Sequence, residues 1–392
     1  MKDPLIGKIL EKKDEEKVKN TVSSEVKDMS FREEEYEVLE EKNLRNLTKV
    51  KDRAFPEPEI TIDELMGKPR PPEDEAFVIV QDGGVGDAIC ASPMIESAKN
   101  FYPNRKIIVG SSHSEILVGN PHIDHLYHLG YPKDMFERWV KPLRHFGSVI
   151  KRDIYNASAH KLFPGPLSMI WCHLYGVPFI EDNIKIYLNQ DEENEAVDFL
   201  KSFPKKEVII IHGTGAKLLF NPDVQITPNK DYFSDYWEIL VKELTKQYYV
   251  VQVGGANEQE IKGVSTYLMG RTSIRQTAAL LKYCLTYISI DSFVGHAGAA
   301  VGKKGVVLWG RSNPFIAGHQ INRNIWVKDS CEFGDLHCGR PSGYFGDSEM
   351  YMGQGRPWVC PSRSCMRAIT PRIVLKEVVK LIETIKKEQI IK

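Results

Sequence analysis

The chain has 392 residues, of which 42% are hydrophobic and 27% charged, a globular composition with room for two domains that each bury a core. Its formal net charge of -1 argues against a general polyanion binder and gives no support to a nucleic-acid partner. No apolar run reaches the length of a membrane span and the N-terminus lacks a basic-then-apolar leader, so a cytoplasmic location is expected, inner-membrane surface included.

Residues 1–72 read as a charged N-terminal extension and linker. MKDPLIGKILEKKDEEKVKN and REEEYEVLEEKNLRNL are dense in Lys and Glu, and GKPRPPEDE adds a proline-rich connection. An α/β alternation then begins. Phe77 to Val80 is a short β-branched run of buried-strand type, broken by Gly83, Gly84 and Gly86 and followed by a helix-period run from Ala88 to Phe101. KIIVGSS (106–112), HLYHLG (125–130) and SVIKRDIYN (148–156) read as further strands, and NQDEENEAVDFLKSFPKK as a helix crossing to a second domain. There EVIIIHGTG (207–215), YYVVQVGG (248–255), TYISIDS (286–292), GVVLWG (305–310) and IWVKD (325–329) read as strands, with helices over 234–246, 274–284 and 293–302. The last segment, PRIVLKEVVKLIETIKK, has proline in its first turn and apolar residues at helical spacing. The fold class is α/β, with one Rossmann-like domain over 73–203 and another over 204–370.

GGVGDAICASPMIESAKNFYPNRKIIV, SIRQTAALLKYCLTYISIDSFVGHAGAAVGKKGVVLWG and CMRAITPRIVLKEVVKLI, taken in this order and spacing, resemble glycosyltransferase family 9, the ADP-heptose:lipopolysaccharide heptosyltransferases and their relatives. The resemblance covers roughly residues 76 to 388. It implies a GT-B fold, two Rossmann-like domains facing a cleft, with the terminal helix (371–392) crossing back onto the first. It also implies inverting sugar transfer, heptosyl in the type members, from a nucleotide-diphosphate donor to a glycan, lipid-linked or protein acceptor, with no cofactor in catalysis. The sequence agrees in having no Asp-x-Asp triplet, the usual device for holding a divalent ion on a donor diphosphate.

Asp87 opens a helix after a strand, where a carboxylate caps free N–H groups; in the family pattern the same position is the catalytic base. Gly84 and Gly86 form the loop expected on the acceptor side. On the donor side, Asp291, Ser292, Phe293, Gly295 and His296 lie where a strand ends and a helix begins, an anion site by its N–H groups. His296 would brace that loop, contact the donor, or simply be buried and satisfied by backbone. Phe293 departs from the family, which usually has glycine there, and so puts heptose as donor sugar in question. Lys230 matches the family's phosphate-contacting lysine, with Lys217 as competitor. His212 and Thr214 end the first strand of the second domain, and Glu258 or Glu260 corresponds to the acid that meets the donor ribose.

Cys331, Cys338, Cys360 and Cys365 cluster as CX6C and CX4C around a glycine-rich run. They read either as a structural zinc or iron site or as plain reduced thiols. Cys90, Cys172 and Cys284 sit among apolar residues and read as core. Two rival readings remain open: a GT-B scaffold without catalysis, and a transferase acting on a protein or a modified nucleic-acid base. The sequence carries no signal for an oligomeric state.

Overall fold

A computed structural model describes residues 76–81, 83–129, 149–151, 165–204, 207–214, 217–218, 221–225, 230–310, 312–327, 330 and 362–391. All lie in one compact unit, Pro71–Lys392. The extension over 1–72 and Cys331, Cys338 and Cys360 fall outside the described residues.

The first lobe runs β1 (Phe77–Gln81), α1 (Val85–Cys90), α2 (Ser92–Phe101), β2 (Ile107–Ser111), β3 (His125–His128), β4 (Val149–Lys151) and α3 (Leu167–Tyr175). Its sheet is wholly parallel, in the order β3-β2-β1-β4. Ile79 stands between Val109 and Ile150 in register. Residues on both faces of β1 and β2 are buried, which is why these strands read as continuous apolar runs rather than alternating ones.

Helix α4 (Gln190–Lys201) leads to the second lobe. Asn189 and Glu192 close a reciprocal capping box at its start, and Asp191, Glu192 and Glu193 fill the acidic first turn that the helix dipole favours. The second lobe holds β5 (Val208–His212), a small hairpin of β6 (Lys217–Leu218) and β7 (Asn221–Gln225), α5 (Ser234–Leu244), β8 (Tyr249–Gln252) and β9 (Thr266–Tyr267). It continues with α6 (Ile274–Tyr283), β10 (Thr286–Ile290), α7 (Phe293–Ala300), β11 (Val306–Trp309), α8 (Pro314–Ala317) and β12 (Arg323–Trp326). Its six-stranded sheet has the order β12-β11-β10-β5-β8-β9, again with parallel pairs. The expected strands and helices are present, except that the single helical run expected from Ala88 to Phe101 is split at Ala91 into α1 and α2. The hairpin, α3, β9 and α8 were not read from the sequence.

Both sheets reverse their strand order once. From β1 the chain builds outward through β2 and β3, then returns to lay β4 on the other side; from β5 it builds through β8 and β9, then returns with β10. The crevice at the carboxyl ends of the strands beside such a reversal is where open α/β sheets bind ligands. The loop after β1 and the loops after β5 and β10 therefore occupy the two binding positions of the fold.

The lobes share one apolar core. Ile89 and Ala91 of the first cluster with Ile186 of the connection and with Tyr287, Val294 and Ala297 of the second. The terminal helix differs from its expected course. After α9 (Ser364–Ala368), α10 (Pro371–Ile391) buries Val374, Val378, Leu381, Ile382 and Ile385 against Trp237, Leu240, Val241 and the second sheet. Lys386 pairs with Glu207, and Lys304 with Glu388, on the same lobe. Periodicity correctly marked the buried stripe, but that stripe completes the second lobe rather than crossing to the first. Among the described residues no helix is long and apolar enough to cross a membrane.

Candidate active site

Asp87 is buried, in the first turn of α1, and its Oδ2 accepts the Gly84 N–H at 2.8 Å. The capping reading of this residue is thus real. A Cβ on Gly83 would stand 2.6 Å from the same Oδ2, so glycine there is what gives the carboxylate its room.

Gly86 lies against the second lobe: a Cβ built on it would meet His296 Cδ2 at 2.7 Å and Nε2 at 3.2 Å. The histidine ring has little freedom to retreat, because Nδ1 is 2.8 Å from His319 Nε2 and 3.5 Å from Cys90 Sγ. Gly86→Ala therefore sets two effects against each other. Alanine should gain about 1 kcal/mol of helix propensity, while forcing a methyl into this contact costs about 1–3 kcal/mol. Net destabilisation in a denaturant titration is expected; a more stable variant would show that the close approach is unimportant.

In the second lobe Asp291 and Lys230 form an ion pair of 2.8 Å, with the side chains only 3% and 11% exposed. Burial pushes the Asp291 carboxyl up, but Lys230, with smaller help from Ser312 and His296, offsets this and holds it below its ordinary range. The pair fixes the ammonium at the end of β10, just before the first turn of α7. Ser292, at the N-cap of α7, does not cap it by side chain. Its hydroxyl is instead 2.9 Å from both Ser289 Oγ and His212 Nδ1. The Gly295 N–H is turned onto the Ser292 carbonyl at 3.1 Å, so of the expected anion-binding N–H groups this one is already engaged. Phe293 is partly buried against the shared core.

His212 links two loops. Its Nδ1 meets Ser292, and its Nε2 lies 3.2–3.3 Å from the Glu258 carboxylate. Glu258 also accepts from Thr214 Oγ1 at 3.1 Å and from the Gly255 N–H at 2.7 Å. Glu258 rather than Glu260 thus joins the expected site residues: Glu260 is exposed. Lys217 lies on β6.

His296 is buried and satisfied by a side chain, His319, rather than by backbone. Burial is the main reason its pKa falls to about 3, with His319 adding to the shift, so the ring is neutral. Beyond His319, Nδ1 faces Asp182 Oδ2 at 3.7 Å, and Asp182 Oδ1 accepts from Ser168 Oγ at 2.5 Å. Burial also pushes the Cys90 thiol up, with Asp182 and Asp87 contributing. The core reading of Cys90, Cys172 and Cys284 holds, but Cys90 has this second aspect. His319, Asp182 and Arg275 were missed. His319 and Asp182 sit in stretches with no local motif, Arg275 sits within the segment SIRQTAALLKYC, and each acquires its role only through long-range contacts.

A family model described as glycosyltransferase family 9 (heptosyltransferase) matches residues 170–336. No curated protein is matched. Among solved structures, the family 9 glycosyl transferase from Veillonella parvula DSM 2008 aligns at TM-score 0.56 and 15% identity, covering 79% of this chain and 98% of that one. The Escherichia coli ADP-heptose lipopolysaccharide heptosyltransferase II aligns at TM-score 0.53 and 16% identity, covering 78% and 98%. The dodecameric iron-containing heptosyltransferase TibC, described in complex with ADP-D-beta-D-heptose, aligns at 0.57 and 14%, covering 80% and 77%. These likenesses show that the two lobes form the GT-B arrangement of heptosyltransferases.

Proposed function

We propose, on the premise that this chain is a glycosyltransferase carrying a family 9 (heptosyltransferase) domain over residues 170–336, that it moves a sugar from a nucleoside-diphosphate donor to a hydroxyl acceptor with inversion. The observation that carries this reading is the placement of Asp87 and of the Lys230–Asp291 pair at the two strand-order reversals, which the Gly86–His296 contact brings together. Asp87 takes the proton from the acceptor hydroxyl as its oxygen bonds to the anomeric carbon from the face opposite the leaving group. The bond from that carbon to the diphosphate oxygen breaks, and its electron pair leaves on the diphosphate. The Lys230 ammonium and the first N–H groups of α7 meet that charge. Glu258, held by His212 and Thr214, meets the donor ribose.

The names of the aligned structures support an ADP-linked donor and a heptose. Phe293 beside the phosphate loop leaves the sugar to experiment. The acceptor class is a glycan, a lipid-linked glycan or a protein hydroxyl.

A panel of nucleotide sugars tests donor binding by thermal shift, since a ligand bound only by the folded state raises its melting temperature. At least one ADP- or other nucleoside-diphosphate sugar should stabilise the protein, and Lys230→Ala should reduce that shift at equal ligand concentration. A panel with no stabilising member, or an unchanged shift in the variant, contradicts the assignment. Transfer is also expected to proceed in excess EDTA, because cationic side chains and N–H groups carry the diphosphate charge. Loss of activity restored specifically by added Mg²⁺ or Mn²⁺ would count against it.

A further inference from the structure

Between the lobes, three side chains that are ordinary metal ligands converge. Cys90 ends α1 in the first lobe, His296 lies in α7, and His319 follows α8 in the second. Cys90 Sγ is 3.5 Å from His296 Nδ1, which is 2.8 Å from His319 Nε2, and the three atoms all lie within 4.8 Å of one another. The residues are 1%, 7% and 7% exposed. We propose that Cys90, His296 and His319 bind a divalent ion of the zinc class and so clamp the first lobe to the second.

The geometry can be tested against a tetrahedral ion. With a metal–sulfur bond of about 2.3 Å and metal–nitrogen bonds of about 2.0–2.1 Å, the sulfur and a nitrogen ligand stand roughly 3.5–3.6 Å apart, and two nitrogens roughly 3.3–3.4 Å. The Cys90–His296 distance already has this value. The two imidazole nitrogens are closer, and His319 has to withdraw by about 0.5 Å to reach the tetrahedral edge.

An independent observation concerns the other side of the same ring. His319 Nδ1 is buried without a hydrogen-bond partner, 3.7 Å from Asp182 Oδ2. A shift of under about 1 Å would bring Nδ1 within hydrogen-bond distance of that carboxylate. A carboxylate behind a ligating imidazole is the usual outer support of a metal histidine, fixing its tautomer and orientation. Asp182 is itself anchored by Ser168. The third edge, Cys90 Sγ to His319 Nε2, lies within 4.8 Å, so a modest adjustment of these side chains is what the ligand set requires. On binding, the ion takes the place of the thiol proton, which is released to solvent, and the desolvation that disfavours a bare thiolate here is met by the cation's charge. Three protein ligands leave one position for water. This site uses none of the four C-terminal cysteines, and the inference does not depend on the transferase reading.

The test uses the full chain purified without metal-affinity resin. Zinc per chain should be about one lower in Cys90→Ser and in His319→Gln than in the wild type, whatever the C-terminal cysteines contribute equally to all three. Loaded with Co²⁺ alone, the wild type should show a thiolate-to-cobalt charge-transfer band, part of which is absent from the Cys90→Ser spectrum. If a ligand variant fails to fold, Asp182→Asn, which keeps all three ligands, should weaken Co²⁺ binding at this site by about 10–100-fold. Metal-free wild type that takes up no Co²⁺ would overturn the proposal. So would equal metal content in wild type and folded ligand variants, or unchanged Co²⁺ affinity in Asp182→Asn. The three side chains would then be a plain hydrogen-bonded cluster.

Discussion

Replacing Asp87 by asparagine is expected to lower sugar transfer by about 10²–10⁴-fold, the range associated with loss of a positioned general base, while leaving the fold and donor binding nearly intact. Asparagine suits this test because its carbonyl oxygen can still accept the Gly84 N–H that Asp87 Oδ2 now accepts at 2.8 Å. The capping contribution to stability is therefore retained and the proton-accepting capacity removed. Alanine would confound the two, since losing a cap alone costs on the order of 1 kcal/mol. The readout is kcat at saturating donor, alongside the donor-induced melting shift. A variant that turns over at near wild-type rate would leave Asp87 with the cap as its whole role.

The largest expected effect on stability belongs to Arg275. From α6 in the second lobe its guanidinium pairs with both oxygens of Glu192, at 2.5 and 2.6 Å. It also donates to the carbonyls of Glu115 and Val118 in the first lobe, each at 3.1 Å, and of Tyr187 in the connection, at 2.8 Å. One planar side chain thus ties both lobes and the segment between them. The pair is partly exposed, 13% and 20% by side chain, so the full cost of breaking a buried ion pair does not apply. Losing the fork and the donor to three carbonyls, of which that of Glu115 still accepts the Val118 N–H, should cost on the order of 2–4 kcal/mol. Arg275→Ala is therefore expected to lower the melting temperature by roughly 5–10 °C. Arg275→Lys should recover little of it, because an ammonium cannot reproduce the bidentate geometry. A loss within about 0.5 kcal/mol, as for an ordinary surface pair, would show that the interlobe tie is not made in solution.

The sheet was legible because parallel strands buried on both faces announce themselves as β-branched runs such as FVIV and VIII. Asp87 and Asp291 were picked out by the family resemblance and by their place at a helix start, and His212 by its place at the end of a strand. What sequence could not supply was partnership across the chain. Gly86 reads as a turn glycine until His296 is seen against it, 210 residues later. Cys90 reads as core, and is, yet it also touches His296 from the other lobe. His319 and Asp182 have no neighbours in sequence that betray them, and the segment around Arg275 shows nothing of its partners across the lobes. The terminal helix shows the same limit in packing: a 3.6-residue period marks which face is buried, not which lobe covers it.

The central claim is transfer from a nucleoside-diphosphate sugar by this site. It is tested most directly by incubating the protein with the stabilising donor and fractionated glycan, lipid and protein acceptors. Nucleoside diphosphate release and the anomeric configuration of the product are then followed together by NMR. The account predicts acceptor-dependent release with an anomer opposite to that of the donor. Retention of the donor's configuration, or no release from any donor that binds, would contradict it.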